Sequence, residues 1–401
     1  MKTETKGSRS TEMEIEEKVR PRWIEVNLDA VGRNTRRVKE MIGDGVKLLA
    51  VVKGDAYGLG MVPVAHTVIS QGADLLGVTN PDEGVILRNK GIDAPIFIFR
   101  PLLPGEEELV VNYQLISSIS SLQQAERLSD KARIYGVKVP VHLKVETGLG
   151  RTGFLPSSIK EHADRLFSLP GLEWEGIYTH FASAAGDPQF TRQQFRLFQS
   201  VVEGLKKRGI QFPLCHVCNS AAALLYPEMR LDLVRIGTLL YGENPPGVKD
   251  DLGLESTWSF WSRVIHLQKL EKGMMVGYGR THRVSRDTTM AVIPVGYRDG
   301  FGVDVTPRPA GLIDLTKVVA KIVLGYLGFP VGKYYVEING TPAPVLGRVG
   351  MELTCIDVGK IPGIEVGTPV RLMARRTVIR ESIPKSYCQQ EKAGSSDTQP
   401  V

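Results

Sequence analysis

No apolar run in this chain approaches the ~20 residues that a membrane-spanning helix needs, and no membrane partner is expected. Its first twenty residues, MKTETKGSRSTEMEIEEKVR, are polar and lack the apolar core of a secretory signal. Cysteine is scarce. Four in 401 residues are too few for a disulfide scaffold. Cys215 and Cys218 form one CxxC, but no second pair or histidine cluster completes a zinc site, so a reduced structural role is expected and no metal. Charge of one sign is nowhere concentrated. The net charge of +6 comes from 50 Lys and Arg against 44 Asp and Glu, scattered along the chain, and a nucleic-acid partner is not expected. These absences point to the cytoplasm. What remains, 42% hydrophobic and 23% charged residues, is the make-up of an ordinary globular protein, long enough for about two or three domains.

Residues 1–20 have the composition of a charged, disordered tail. From Arg22, RWIEVNL alternates as a strand does, and Asp29 is placed to cap a helix running to Ile42. Strands and helices then alternate with a period of ~30 residues to about residue 240, the pattern of parallel strands joined by crossover helices. LLAVV, LLGVTN, PIFIF, VPVHLKV, GIYTHF and LCHVCN are strand candidates, and Pro81 and Gly91 punctuate one of the intervening helices. Roughly eight such units predict a (β/α)8 TIM-like barrel over residues 21–254. After Pro245 and Pro246 the texture changes. SFWSRVIHLQKL, TTMAVIPVG, KVVAKIVLG, KYYVEING, APVLGRVG, LTCIDVG and TPVRLM predict a C-terminal all-β domain over residues 255–375, with no long helix. A polar tail, residues 376–401, is expected to be disordered.

The run over residues 48–52 ends on Lys53 and breaks into the glycine-containing turn KGDAYGLG. That places a lysine at the carboxyl end of a buried strand, the edge at which barrels and open α/β sheets carry their active sites. A lone lysine in such a loop is usually only solvated. By the same standard Tyr57 is a loop aromatic, Lys144 an ion-pair partner of Glu146 or its neighbours, and His180 a satisfied core histidine. The functional reading rests on several stretches converging.

Six stretches together resemble the alanine racemase family, fold-type-III pyridoxal-phosphate enzymes that pair a barrel with a β-domain; the resemblance spans about residues 22–370. AVVKGDAYGLG resembles the motif of the cofactor lysine, which implies that Lys53 carries pyridoxal phosphate and that Tyr57 hydrogen-bonds its phosphate. A lysine suits this role because burial beside other cations leaves its amine neutral and nucleophilic. HLKVETGLGRTGF implies that Arg151 orients the substrate carboxylate, and that Lys144 corresponds to a lysine carbamylated in some members. GIYTHFASA implies that His180 hydrogen-bonds the catalytic tyrosine. HVCNSAAALLYP, running into LDLVRIGTLLYG, implies Ser220, Gly237 and Thr238 at the phosphate and Arg235 at the pyridine nitrogen. An always-charged donor there keeps that nitrogen unprotonated and weakens the ring as an electron sink, which disfavours transamination.

VGYGRTHRV implies that Tyr278 is the second acid/base, opposite Lys53, since racemisation needs a proton acceptor on each face. In the family this tyrosine reaches the other protomer's lysine, which implies a homodimer with shared sites. GRVGMELTCIDV implies that the Met351 amide binds the substrate carboxylate, and PVGYRDGF places Tyr297 at the access corridor. Two departures stand out. Gly350 and Glu352 occupy positions where the family usually has Cys or Ser and Asp, and no residue after RLMARR matches the family's further phosphate-binding tyrosine, Tyr387 lying in a different context. The activity implied is interconversion of L- and D-alanine, with D-alanine destined for peptidoglycan. The alternatives are a racemase of serine or another amino acid, a fold-type-III decarboxylase, and a pyridoxal-phosphate carrier without turnover. A decarboxylase would not need the GYGRT tyrosine, and the carriers lack a β-domain.

Overall fold

The computed structural model describes residues 19–245, 247–248, 251–303, 311–326 and 334–388. Within them the chain divides into two compact units, one built on residues 27–257 and the other on residues 258–387 together with the first strand.

The first unit is a barrel. Its strands are β2 (Lys47–Val51), β3 (Leu75–Val78), β4 (Ile96–Ile98), β5 (Ile116–Ile119), β6 (Val139–Lys144), β7 (Leu172–Tyr178), β8 (Leu214–His216) and β9 (Leu233–Ile236). All seven ladders are parallel, in the order β8-β7-β6-β5-β4-β3-β2-β9. The ring closes where the Asp232 amide donates to the Cys215 carbonyl (3.2 Å) and the Arg235 amide to that of Cys218 (3.0 Å). Side chains alternate across each strand. Leu49 and Val51 of β2 join Leu75, Phe97, Ile116, Tyr178 and Leu233 in the interior, while Leu48 and Ala50 take the other parity toward the surrounding helices. Gly77 belongs to the interior set: a Cβ there would lie 2.4 Å from Leu49 Cδ2, so the space is already filled.

The crossover helices are α1 (Leu28–Ile42), α2 (Met61–Ser70), α3 (Pro81–Asn89), α4 (Glu107–Asn112), α5 (Leu122–Ile134), α6 (Pro156–Phe167), α7 (Pro188–Lys206) and α8 (Ser220–Leu225). Asn27, rather than the expected Asp29, caps α1, its Oδ1 accepting from the Ala30 amide at 2.9 Å. Pro81 opens α3 as expected, and Glu83 of its first turn accepts from the Asn80 amide at 3.0 Å.

The second unit departs from expectation in three places. The strand expected to open the barrel, β1 (Arg22–Asn27), pairs antiparallel with β10 (Trp258–Arg263), Trp23 opposite and stacked on Trp261 at 6.2 Å. The predicted tail is structured as far as residue 388. The strand Lys385–Cys388 forms the edge of the same six-stranded sheet, beyond β1, and the Ile24 amide donates to the Pro384 carbonyl at 2.9 Å; residues 389–401, like residues 1–18, lie outside the described residues. Finally, KVVAKIVLG is not a strand but part of helix α9 (Leu312–Tyr326). Its β-branched residues suggest a strand, but Leu312, Leu315, Val319, Ile322 and Tyr326 recur at helical spacing. The remaining β-elements follow the predicted order.

Candidate functional site

Lys53 follows β2 by two residues, and the next four, Gly54, Asp55, Ala56 and Tyr57, all have left-handed backbone angles, φ between 52° and 60°. This turn is held at both ends. The Ala56 amide returns to the Val52 carbonyl (2.8 Å), the Met61 amide to Asp55 Oδ1 (2.7 Å), and the Gly54 amide to Glu83 Oε1 (2.6 Å). One consequence is that the ring of Tyr57 turns back over β9. A Cβ at Gly237 would lie 2.4 Å from Tyr57 Oη, and the Gly237 amide donates to Ser220 Oγ at 3.1 Å.

A cavity of about 320 Å³ opens at this carboxyl end of the barrel. Its lining brings together all nine of the barrel residues singled out in the sequence: Lys53, Tyr57, Lys144, Arg151, His180, Ser220, Arg235, Gly237 and Thr238. Four are cationic, and no carboxylate lines the cavity among the described residues. Burial, with Arg151 beside it, lowers the Lys53 amine from its ordinary value, Glu83 opposing. Burial beside Arg151 and Arg235 brings Lys144 down to about 8. Its Nζ donates to Thr152 Oγ1 at 2.5 Å, whereas Glu146 accepts from the Gly148 and Arg151 amides; the simple ion pair between Lys144 and Glu146 does not form.

Arg235 is almost wholly buried; its terminal N–H groups meet only lone pairs, and its guanidinium lies over the Tyr178 ring, 5.3 Å from the centroid. Its Nη2 donates to the carbonyls of Thr179 (2.8 Å) and Val217 (3.0 Å) and lies 3.1 Å from His180 Nδ1; its Nη1 lies 2.8 Å from His216 Nδ1. Burial lowers it to about 10, so it stays charged at neutral pH, and burial with that charge nearby drives His180 down to about 3. Since guanidinium groups only donate, His180 accepts on Nδ1 and carries its proton on Nε2.

Tyr278, Tyr297 and Met351 lie in the second unit. Strands Met275–Val276 and His282–Arg283 pair antiparallel and carry Tyr278 in the loop between them, 85% exposed, with Gly277 and Gly279 at positive φ. Tyr297 and Met351 come from neighbouring segments, since the Tyr297 amide donates to the Gly350 carbonyl (3.0 Å) and the Arg298 amide to that of Met351 (3.1 Å). A Cβ at Gly350 would lie 2.6 Å from the Leu353 carbonyl oxygen, so the local loop has no room for Cys or Ser. Glu352 pairs with Arg298 at 3.0 Å.

Residues 26–245 match the family model described as the alanine racemase N-terminal domain, and residues 257–389 the one described as the C-terminal domain. The chain belongs to the alanine racemase family. It is 36% identical over 359 residues to the alanine racemase of Halothermothrix orenii, covering 89% of this chain and 88% of that one. With alanine racemase 1 of Caldanaerobacter subterraneus subsp. tengcongensis the identity is 34% over 355 residues, covering 88% and 85%. Among solved structures, alanine racemase from Clostridium difficile 630 superposes with a TM-score of 0.81 at 27% identity, covering 93% of this chain and 97% of that one. That from Bacillus anthracis with bound L-Ala-P gives 0.77 at 28%, covering 92% and 96%.

Alanine racemases depend on pyridoxal phosphate, and the cavity fits that group. Thr238 Oγ1 is buried with no hydrogen-bond partner, beside the bare backbone of Gly237 and the Ser220 hydroxyl. Such a cradle suits phosphate oxygens. The four cations suit a ligand carrying several negative charges. Sequence reasoning missed the support beneath: Tyr178, hydrogen-bonded to Ser118 Oγ at 2.7 Å, and the two buried histidines His142 and His216. A histidine with no partner in sequence gives no signal. Burial raises the Cys215 and Cys218 thiols of the CxxC to about 11 and about 12, away from the reactive thiolate form.

Proposed function

We propose that this chain interconverts L- and D-alanine with pyridoxal phosphate held on Lys53, using Lys53 and Tyr278 as acid/bases on opposite faces of the substrate. The observation that carries this reading is the convergence of Lys53, Lys144, Arg151 and Arg235 on one cavity without a lining carboxylate, beside the bare Gly237 backbone, the Ser220 hydroxyl and the unpartnered Thr238 Oγ1. When bound, the cofactor supplies the electron sink that lets the Cα–H bond break heterolytically. Everything else falls to the chain. Ser220, Tyr57 and the amides of Gly237 and Thr238 hold the phosphate, Arg151 and the Met351 amide orient the substrate carboxylate, and Tyr297 lines the access corridor.

Lys53 Nζ, its proton affinity reduced by burial and by Arg151, takes the Cα proton on one face. Tyr278 Oη delivers a proton to the other; each turnover leaves Lys53 one proton richer and Tyr278 one poorer, and exchange with water resets both before the next, the two roles reversing for the opposite enantiomer. A phenol is an ordinary acid of pKa ~10, so it needs a cationic or donating neighbour to act near neutrality. The Nε2 proton of His180, fixed there by Arg235, is the donor assigned to it. Arg235 keeps the pyridine nitrogen unprotonated. Tyr278 is supplied by a second copy in a homodimer, which accords with its bare position. Lys144 is a candidate for carbamylation, since a fall to about 8 leaves part of it as the free amine, which attacks carbon dioxide and releases one proton. Few cysteines, all of them free, accord with a cytoplasmic enzyme supplying D-alanine to peptidoglycan synthesis.

The test is chiral chromatography of L-alanine incubated with the protein and pyridoxal phosphate, beside Lys53→Ala. D-alanine is expected only with the intact lysine, and its absence with wild-type protein overturns the reading. Tyr278→Phe is expected to cut turnover by at least a hundredfold, the scale of a lost acid/base. Undiminished racemisation in both directions would remove Tyr278 from the mechanism.

A further inference from the structure

His142 and His216 are fully buried, and their rings meet: His142 Nδ1 lies 2.8 Å from His216 Nε2, while His216 Nδ1 lies 2.8 Å from Arg235 Nη1. The proton positions follow from donor chemistry. A guanidinium offers only donors, so His216 Nδ1 must be a lone pair and its proton sits on Nε2. That N–H in turn needs an acceptor, which His142 Nδ1 provides, and the His142 proton is left on Nε2. There it has no partner. The opposite tautomers would set an N–H of His216 against an N–H of Arg235. Charging either ring is opposed by burial and by Arg235.

The surroundings are built for this arrangement. A Cβ at Gly176 would fall 2.6 Å from His142 Nδ1, so β7 has a glycine against the face of that ring, beside a register shift between Val141 and His142. His216 is stacked on Tyr178 at 4.8 Å with 2° between the planes.

We propose that His142 is a positioning residue for the reaction: by accepting the Nε2 proton that Arg235 imposes on His216, it holds that ring in place, so that Arg235 is met by a lone pair and keeps its full charge toward the cofactor. The unmet N–H at the far end of the chain costs stability that a residue serving only to fill the barrel would shed. The proposal rests on the reading of Arg235 as the group facing the pyridine nitrogen, and its test separates the two.

Long-range 1H–15N spectra of protein labelled at histidine read the His216 tautomer with and without pyridoxal phosphate, whatever the turnover. Wild-type His216 is expected in the single Nε2-protonated form. His142→Phe keeps an aromatic ring, a larger one, but removes the acceptor; the unmet Nε2 proton is expected to turn the His216 ring from its place against Arg235, shifting and broadening its nitrogen signals, and to lower kcat about tenfold with little change in KM, the scale on which outer partners of an active group act. His142→Asn, whose amide oxygen can accept from His216, is expected to restore both. Should His142→Phe not fold, Gly176→Ala displaces the same ring and is expected to shift the His216 signals likewise. His216 signals unchanged in His142→Phe and in Gly176→Ala overturn the proposal, as does an equal loss of kcat in the Phe and Asn variants. Failure of the wild-type protein to racemise alanine would overturn the proposed function while leaving the tautomer result to stand or fall by itself.

Discussion

At the residue scale, the site concentrates positive charge where it cannot be neutralised from within. Lys53, Lys144, Arg151 and Arg235 line one cavity, and the groups that touch Arg235 are carbonyls, neutral imidazoles and the Tyr178 ring, none of them an anion. Coulomb repulsion among cations in a partly desolvated site is strong, and an anionic ligand relieves it. The proposed phosphate cradle depends on one missing Cβ. Gly237→Ala would drive a methyl to 2.4 Å from Tyr57 Oη, and it is expected to weaken pyridoxal-phosphate binding at least tenfold, about 1.4 kcal/mol, in an absorbance titration of the apoprotein. Affinity equal to wild type would mean that Tyr57 swings aside at no cost. Much of this scale was legible beforehand, because Lys53, Tyr57, Ser220 and Gly237 sit in short local motifs. His142 was not, because its meaning depends on a ring 74 residues away.

At the element scale, two features run against local propensity. Three non-glycine residues, Asp55, Ala56 and Tyr57, adopt left-handed angles at a cost of about 1–2 kcal/mol each. Such strain persists only where the surroundings over-determine it, and here the bonds from Gly54, Ala56 and Met61 do so. The turn thereby aims Tyr57 at Gly237. Helix α9 is the other. Leu312, Ile313, Val319, Ile322 and Val323 are each at least half exposed, which accounts for neither its stability nor its position. Replacing Ile322, 67% exposed, by Lys is therefore expected to shift unfolding free energy by less than about 0.5 kcal/mol in urea denaturation. A loss of 2 kcal/mol or more would mean that this face is covered in solution. The barrel strands were legible as apolar runs because they are buried on both faces; α9 was not, since β-branched residues obscured its period.

At the scale of the whole molecule, two fully buried neutral histidines tie stability to pH. His142 is lowered to about 3 and His216 well below its ordinary value, both chiefly by burial and then by Arg235. Depressed folded-state values mean that the unfolded chain binds protons first as pH falls through ~6.5. Stability is thus full above that point and declines toward pH 3, His142 contributing about 2 kcal/mol of loss by pH 5 and His216 adding to it in the same direction. Urea denaturation at pH 7.5 and pH 5 is expected to show this fall. A pH-independent midpoint would mean that both rings charge in the folded protein.

The sequence by itself determined the barrel, the β-domain that follows it, and the local motifs around Lys53 and Gly237, because hydrophobic period and turn chemistry are properties of neighbouring residues. It could not decide which unit takes the first strand, since RWIEVN is equally a strand in either. Hydrogen-bond pairing assigned that strand: Trp23 found Trp261 and the Ile24 amide the Pro384 carbonyl, partners more than 200 residues away. Likewise only tertiary structure set the protons around Arg235. A tautomer is fixed by whichever donor or acceptor the fold places opposite each ring nitrogen, and no spacing along the chain encodes that.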